Sequence, residues 1–244
     1  MYASLGKDGV LRNGKHRKVV FTPGLSIRSN TKEYKDLDNT LIAGVPGSGL
    51  GTLINDMLYA AINANESRRF SYVFIDGRAR FASPFSNIKR LSTYNLLMSE
   101  LVESDYLNSV HKFLETVSMM SVHYTVNEVL LIVIDGFSKL NVETQQLIRR
   151  MIQNAKLNAH VKFWIVADSS LGELREVVDK FRYRIITRCG DEGLSNELLG
   201  CNVGARCADK YGTCWFYDKQ HPDTYSKLNV CFREDSFYER FLRS

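Results

Sequence analysis

The sequence predicts an α/β fold with a mainly parallel central sheet flanked by helices, and three observations carry that reading. Strand-like apolar runs alternate with helix-length segments along the chain, the pattern of a parallel sheet covered by crossover helices. One run, Val129 to Ile134, is apolar at every position and belongs at the sheet centre, buried on both faces. A glycine-rich turn from Gly44 to Gly51 joins a strand to a helix.

In order, strands are expected at 18–21, 40–43, 72–75, 129–134, 162–167, 184–187, 213–216 and 227–232. Between them, Leu101, Val110, Phe113, Leu114, Val117 and Met120 recur at roughly helical spacing behind a candidate cap at Ser99. Leu147, Ile148, Met151, Ile152 and Ala155 form a second stripe. Leu174, Val177, Val178 and Phe181 form a third, capped by Ser169 or Ser170. Such stripes read as core faces. Residues 1–38 are expected to form an N-terminal β-ribbon of the same domain, and residues 39–244 its body.

Composition sets the outer bounds. A chain of 244 residues, 44% hydrophobic and 24% charged, is long enough for a full core and is not that of a disordered protein. The six-residue run at 129–134 is the longest aliphatic one, against ~20 residues needed to span a bilayer. The N-terminus has no apolar stretch of the secretory kind, so a cytosolic location is expected. Five cysteines (Cys189, Cys201, Cys207, Cys214, Cys231) without CxxC spacing read as free thiols, with Cys214 and Cys231 packed in strands, and not as a zinc site.

The net charge of +5 is unevenly spread. Residues 1–35 hold eight cations and two acids, and the other 209 residues hold 24 cations and 25 acids. The basic segment is thus the leading one, while a nucleic-acid-binding body would carry a basic stripe of its own. Nucleic-acid or acidic-partner contact is to be sought first at Arg12, Lys15, Arg17 and Lys18.

The stretch TLIAGVPGSGLGTLINDMLYAAI (40–62) is the most informative. Gly44, Gly47 and Gly49 have the spacing of a phosphate loop, G-x-x-x-x-G-K-[ST], whose backbone N–H groups cradle phosphates at a helix N-terminus. Here the lysine position is Leu50 and the hydroxyl position is Gly51. Leucine cannot neutralise phosphate oxygens, and glycine has no side chain for Mg²⁺. Thr52 stands one residue late. The candidate nucleotide-binding residues are Gly44, Gly47, Ser48, Gly49, Leu50, Gly51, Thr52 and Asp135.

Asp135 ends the run VLLIVID, where metal-holding strands of such folds place an aspartate. The following residue, the place of a water-polarising glutamate, is Gly136. Lysine, hydroxyl and catalytic acid are all missing, so no catalytic residue is assigned. Substitute cations are sought at Arg78, Arg80 and Lys139, and in an Arg182, Arg184 and Arg188 group that faces a neighbouring subunit or forms sheet-edge salt bridges.

In these motifs the chain resembles the FtsK/SpoIIIE-type motor ATPases. LGKD (5–8) resembles the family's opening ribbon, and LIAGVPGSGLG its LVAGxxGSGKS loop. YVFIDGR is similar to the strand ending in Asp-Pro-Lys, and VLLIVIDGF to the metal-holding strand. WIVADSS stands where the family has a strand ending in Thr-Gln, with Ala167 and Asp168 as departures. RYRIITRC, ELLG and GTCWFYD follow the closing section in order.

The resemblance implies a RecA-like core working in hexamers or chained domains, like the degenerate domains of type VII secretion membrane ATPases. It implies a structural, regulatory or substrate-docking module with ATP bound weakly if at all. Its partners are then other ATPase domains of the motor or further copies, and a secreted protein. Membrane attachment comes only through a segment outside this sequence. Two alternatives stand beside it. One is an active DNA translocase or conjugative coupling ATPase using Thr52 and an arginine. The other is a partner-binding domain reusing the cleft, supported by Leu50 and the aromatic tail Phe237, Tyr238 and Phe241.

Overall fold

The computed structural model describes residues 11–13, 16–26, 34–65, 70–77, 83–87, 103–120, 129–167, 171–189, 191–203, 212–223, 225–230 and 233–243. Five short strands come first: β1 (Leu11–Asn13), β2 (His16–Lys18), β3 (Val20–Phe21), β4 (Leu25–Ser26) and β5 (Lys35–Asp36). The body follows as β6 (Thr40–Ala43), α1 (Leu50–Ala64), β7 (Phe70–Asp76), α2 (Glu103–Met120), β8 (Val129–Asp135), α3 (Val142–Gln153), β9 (Val161–Ala167) and β10 (Tyr183–Ile186). It closes with α4 (Glu192–Leu199), β11 (Thr213–Asp218), β12 (Tyr225–Asn229) and α5 (Asp235–Arg243).

The central sheet has eight strands in the order β4-β12-β11-β10-β6-β9-β8-β7. From β10 to β7 every pairing is parallel. From β10 outward to β4 every pairing is antiparallel. Strand β8, apolar from Val129 to Ile134, lies one strand in from the β7 edge and not at the sheet centre as expected, yet with β9 and β7 on either side it still feeds both faces. Leu130, Ile132 and Ile134 enter one core cluster with α2 and α3, while Leu131 and Val133 enter the other with α1.

Three further expectations are corrected. The single strand expected at 18–21 breaks at Val19, so that β2 pairs with β1 and β3 pairs with β5, each as a separate two-stranded sheet. The break is fixed by Asn65 at the end of α1, whose Oδ1 accepts from Val20 N–H at 3.0 Å while its Nδ2 donates to Val20 O at 2.7 Å. The third stripe folds as a 3-10 helix, Gly172–Lys180, and not as an α-helix. In that geometry residues three apart eclipse. Glu173 and Glu176 thereby share Arg149 at 2.9 and 3.0 Å, while Leu174 and Val177 are both buried. The last strand ends at Asn229, earlier than expected.

The second stripe forms α3 with Leu147, Ile148, Met151 and Ile152 buried and Asn141 accepting from Thr144 N–H at 2.8 Å, but its expected last member, Ala155, is exposed beyond the helix end. The caps expected at Ser99, Ser169 and Ser170, the LGKD segment, Lys15, Leu101, Asp168, Cys207 and Cys231 lie outside the described residues. Of the thiols, Cys189 and Cys214 are buried and Cys201 is half-buried.

Candidate functional site

Gly44 follows the central strand β6, and Thr187 follows its neighbour β10. The ladder between them continues past both ends: Thr187 N–H donates to Ala43 O and Val45 N–H donates to Arg188 O, each at 2.9 Å. Ser48 N–H closes the turn onto Val45 O at 3.1 Å. Ser48 Oγ lies buried, 2.6 Å from Thr187 Oγ1, and Thr187 Oγ1 donates in turn to Ala43 O at 3.3 Å.

This arrangement explains Gly44. A β-carbon there would stand 1.9 Å from Thr187 Oγ1 and 2.8 Å from Ser48 Oγ, which no side chain survives. Gly47 and Gly49 are required for another reason, with φ of 81° and 92° in the left-handed region. A β-carbon on either would meet nothing within 4 Å, so the loop is open above. Gly49 caps α1 with no side-chain hydrogen bond, and no acid occupies the helix's first turn. Exposed amides and the positive helix end therefore face the loop's mouth.

Leu50 is half-buried at the first position of α1 and packs against the apolar cluster that contains Leu53 and Ile54. The lysine position has become part of the helix's packing. Thr52 is half-buried in the same first turn.

Asp135 lies at the same carboxyl end of the sheet but two strands from the loop, with β9 between. It stands level with Asp76 of β7 in the register. Asp76 is buried, and its N–H donates to Tyr106 Oη at 2.9 Å. Burial pushes the Tyr106 hydroxyl up to about 12. Just beyond, Gly77 N–H donates to Asp135 O at 2.7 Å, and Gly136 turns away with φ of 77°. A pocket of about 140 Å³ opens beside this strand end, walled by Phe137, Gln145, Ala167, Leu171 and Leu174.

Of the candidate substitute cations among the described residues, Arg182 and Arg184 are engaged by other partners. Arg182 sits at the opposite end of the sheet, 3.3 Å from Asp218 and 3.8 Å from Asp38. Arg184 donates to Leu198 O at 2.9 Å and stacks over Tyr217. Arg188 reaches the loop with its backbone, and Lys139 is exposed on a 3-10 helix after β8. Arg78 and Arg80 lie outside the described residues. The aromatic tail is already engaged: Phe237 and Tyr238 pack on Tyr59 at 5.1 and 6.1 Å between ring centres.

Sequence reasoning missed Thr187, whose partner is 139 residues away and whose surroundings carry no motif. It also missed Asp76 as a site residue, though VFID repeats the apolar-run-plus-Asp signal of IVID. The residues present fit a phosphate group, through open loop amides. They do not fit Mg²⁺ as such loops hold it, because positions 50 and 51 bring no oxygen. Among the described residues no group of three or more His, Cys, Asp or Glu could hold a metal ion.

Numbered along the chain, the five parallel strands stand in the order 5-1-4-3-2, with the glycine loop after the first and the aspartate strand third. This is a P-loop NTPase fold of the RecA-like kind, with a sheet extended by an antiparallel edge. Solved structures show the same fold in motor ATPases. The cytoplasmic domain of the Thermomonospora curvata type VII secretion ATPase EccC matches with a TM-score of 0.69 at 15% identity, over 95% of this chain and 31% of that one. The pCW3 conjugation coupling protein TcpA, solved with ATPγS, matches with a TM-score of 0.62 at 13% identity, over 94% of this chain and 71% of that one. The genome packaging NTPase B204 of Sulfolobus turreted icosahedral virus 2, solved with AMPPCP, matches with a TM-score of 0.53 at 14% identity, over 80% and 98%. The chain thus spans about a third of the EccC chain it matches. No protein-family model matches the sequence, and no curated protein matches it.

Proposed function

We propose that this chain is a non-hydrolysing P-loop ATPase-like domain, a structural, regulatory or substrate-docking module of a membrane-associated protein-secretion motor. The observations that support the first half are three missing side chains: Leu50 and Gly51 stand where such loops carry a lysine and a hydroxyl, and Gly136 stands where the polarising glutamate would be, in a left-handed conformation (φ 77°) that disfavours a side chain. Leu50, turned into the packing of α1, agrees.

The second half rests on likeness. EccC and EssC are secretion ATPases with several such domains, and one EccC structure with a TM-score of 0.56 is a complex with a signal sequence peptide. By that likeness this chain's partners are other ATPase domains or further copies, and a secreted protein, at the cytoplasmic face of a membrane. Among the described residues no helix is long and apolar enough to cross one.

A bound nucleotide would be held by the amides of Gly47 and of Gly49 to Thr52, without lysine and without metal. The test is ATP affinity by calorimetry with and without Mg²⁺. The reading expects weak binding that Mg²⁺ leaves unchanged. Tightening of about tenfold by Mg²⁺, worth about 1.4 kcal/mol, overturns it.

A further inference from the structure

We propose that Thr187 is the positioning residue of the phosphate loop, a hydroxyl latch on β10 that holds the cradle in shape in place of a bound lysine or ligand. This rests on the reading of residues 44–52 as a phosphate loop.

Proton accounting gives the latch a direction. Thr187 Oγ1 has one proton and places it on Ala43 O, so the 2.6 Å contact with Ser48 is made by the Ser48 hydroxyl donating to Thr187 Oγ1. The chain Ser48 to Thr187 to Ala43 O therefore ties the loop's crown to the strand it springs from, by way of the neighbouring strand. Thr187 is fully buried and Ser48 nearly so, so water competes poorly for either bond. Gly44 is the clearance that lets the two hydroxyls meet, since any β-carbon there would displace Thr187 Oγ1. The backbone bond from Val45 N–H to Arg188 O holds the same junction from the other side.

With its hydroxyl used inward, Ser48 leaves the mouth to backbone amides. The left-handed glycines on either side, Gly47 and Gly49, are then fixed without any ligand. A preformed cradle loses less freedom on binding an anion than a loop that must order first.

Amide hydrogen exchange on the ligand-free full chain tests this. Thr187→Val keeps the volume and removes the hydroxyl. Exchange at Val45 and Ser48, the loop amides with bonded N–H groups, should rise about tenfold, the equivalent of one hydrogen bond, while α2 and α3 stay unchanged. Thr187→Ser should restore the slow rates, and Ser48→Ala should reproduce the fast ones. Unchanged loop exchange in Thr187→Val and Ser48→Ala overturns the latch, as does an equal rise throughout the domain. ATP titration separates the two readings: if the intact chain binds no ATP, the nucleotide assignment falls and the exchange data still decide the latch.

Discussion

A β-carbon placed on Gly77 would stand 2.3 Å from the carbonyl oxygen of Gly136. These glycines follow Asp76 and Asp135, which end adjacent strands in register. The close approach forbids a side chain on Gly77, while Gly136, at the acid position, is constrained by its own φ of 77°. Gly136→Glu should lower unfolding stability by about 1–2 kcal/mol through the left-handed φ alone. It should yield no gain in ATP turnover. Urea unfolding and a phosphate-release assay check the two parts.

Leu50→Lys isolates the other loss. A lysine there supplies a charge-assisted bond of roughly 1.5–3 kcal/mol to a bound phosphate, offset by the packing that Leu50 gives up. ATP affinity should tighten about tenfold or more, read by calorimetry. Unchanged affinity would mean that the loop does not present its amides to phosphate.

Helix α1 is held from behind by Arg233. Its Nε donates to the buried Asp56 carboxylate at 2.9 Å, and its guanidinium lies over Tyr59 and Phe237. Arg233→Ala strands the carboxylate in the interior and should cost about 3 kcal/mol. The double change Asp56→Leu with Arg233→Met should recover much of that loss. Chemical unfolding of the three proteins is the check.

Tyr106 makes stability depend on alkaline pH. Its hydroxyl ionises near 10 in the unfolded chain and, pushed up by burial, at about 12 in the fold. Its contribution is fully present below pH 10 and is lost as pH rises toward 12, at about 1.4 kcal/mol per unit. Burial shifts Tyr183 in the same direction, which steepens the fall. Tyr106→Phe should flatten the slope between pH 10 and 11 in thermal melts, while a slope equal to that of the parent would place the effect elsewhere.

Much of this was legible in the sequence because it is local. The loop declares itself within a dozen residues, and strand β8 within six, since burial on both faces leaves an unbroken apolar run. The stripes of α2 and α3 follow from period alone. What stayed hidden is what distant segments decide together. Thr187 reads as an ordinary strand-end threonine until β10 is set beside β6. The 3-10 geometry at Gly172–Lys180 sets Glu173 and Glu176 together against Arg149 of another helix, a pairing that no local pattern announces. The split of the leading ribbon depends on Asn65. Gly136 reads from sequence as a lost acid, and only the fold shows its left-handed conformation.

The most direct test of the account is steady-state phosphate release from ATP and Mg²⁺ by the full chain, with the chain in excess of any contaminating activity. The account predicts no turnover above the buffer control, unchanged by added DNA. Turnover of about 1 s⁻¹, at the low end of ordinary enzyme rates, would contradict it.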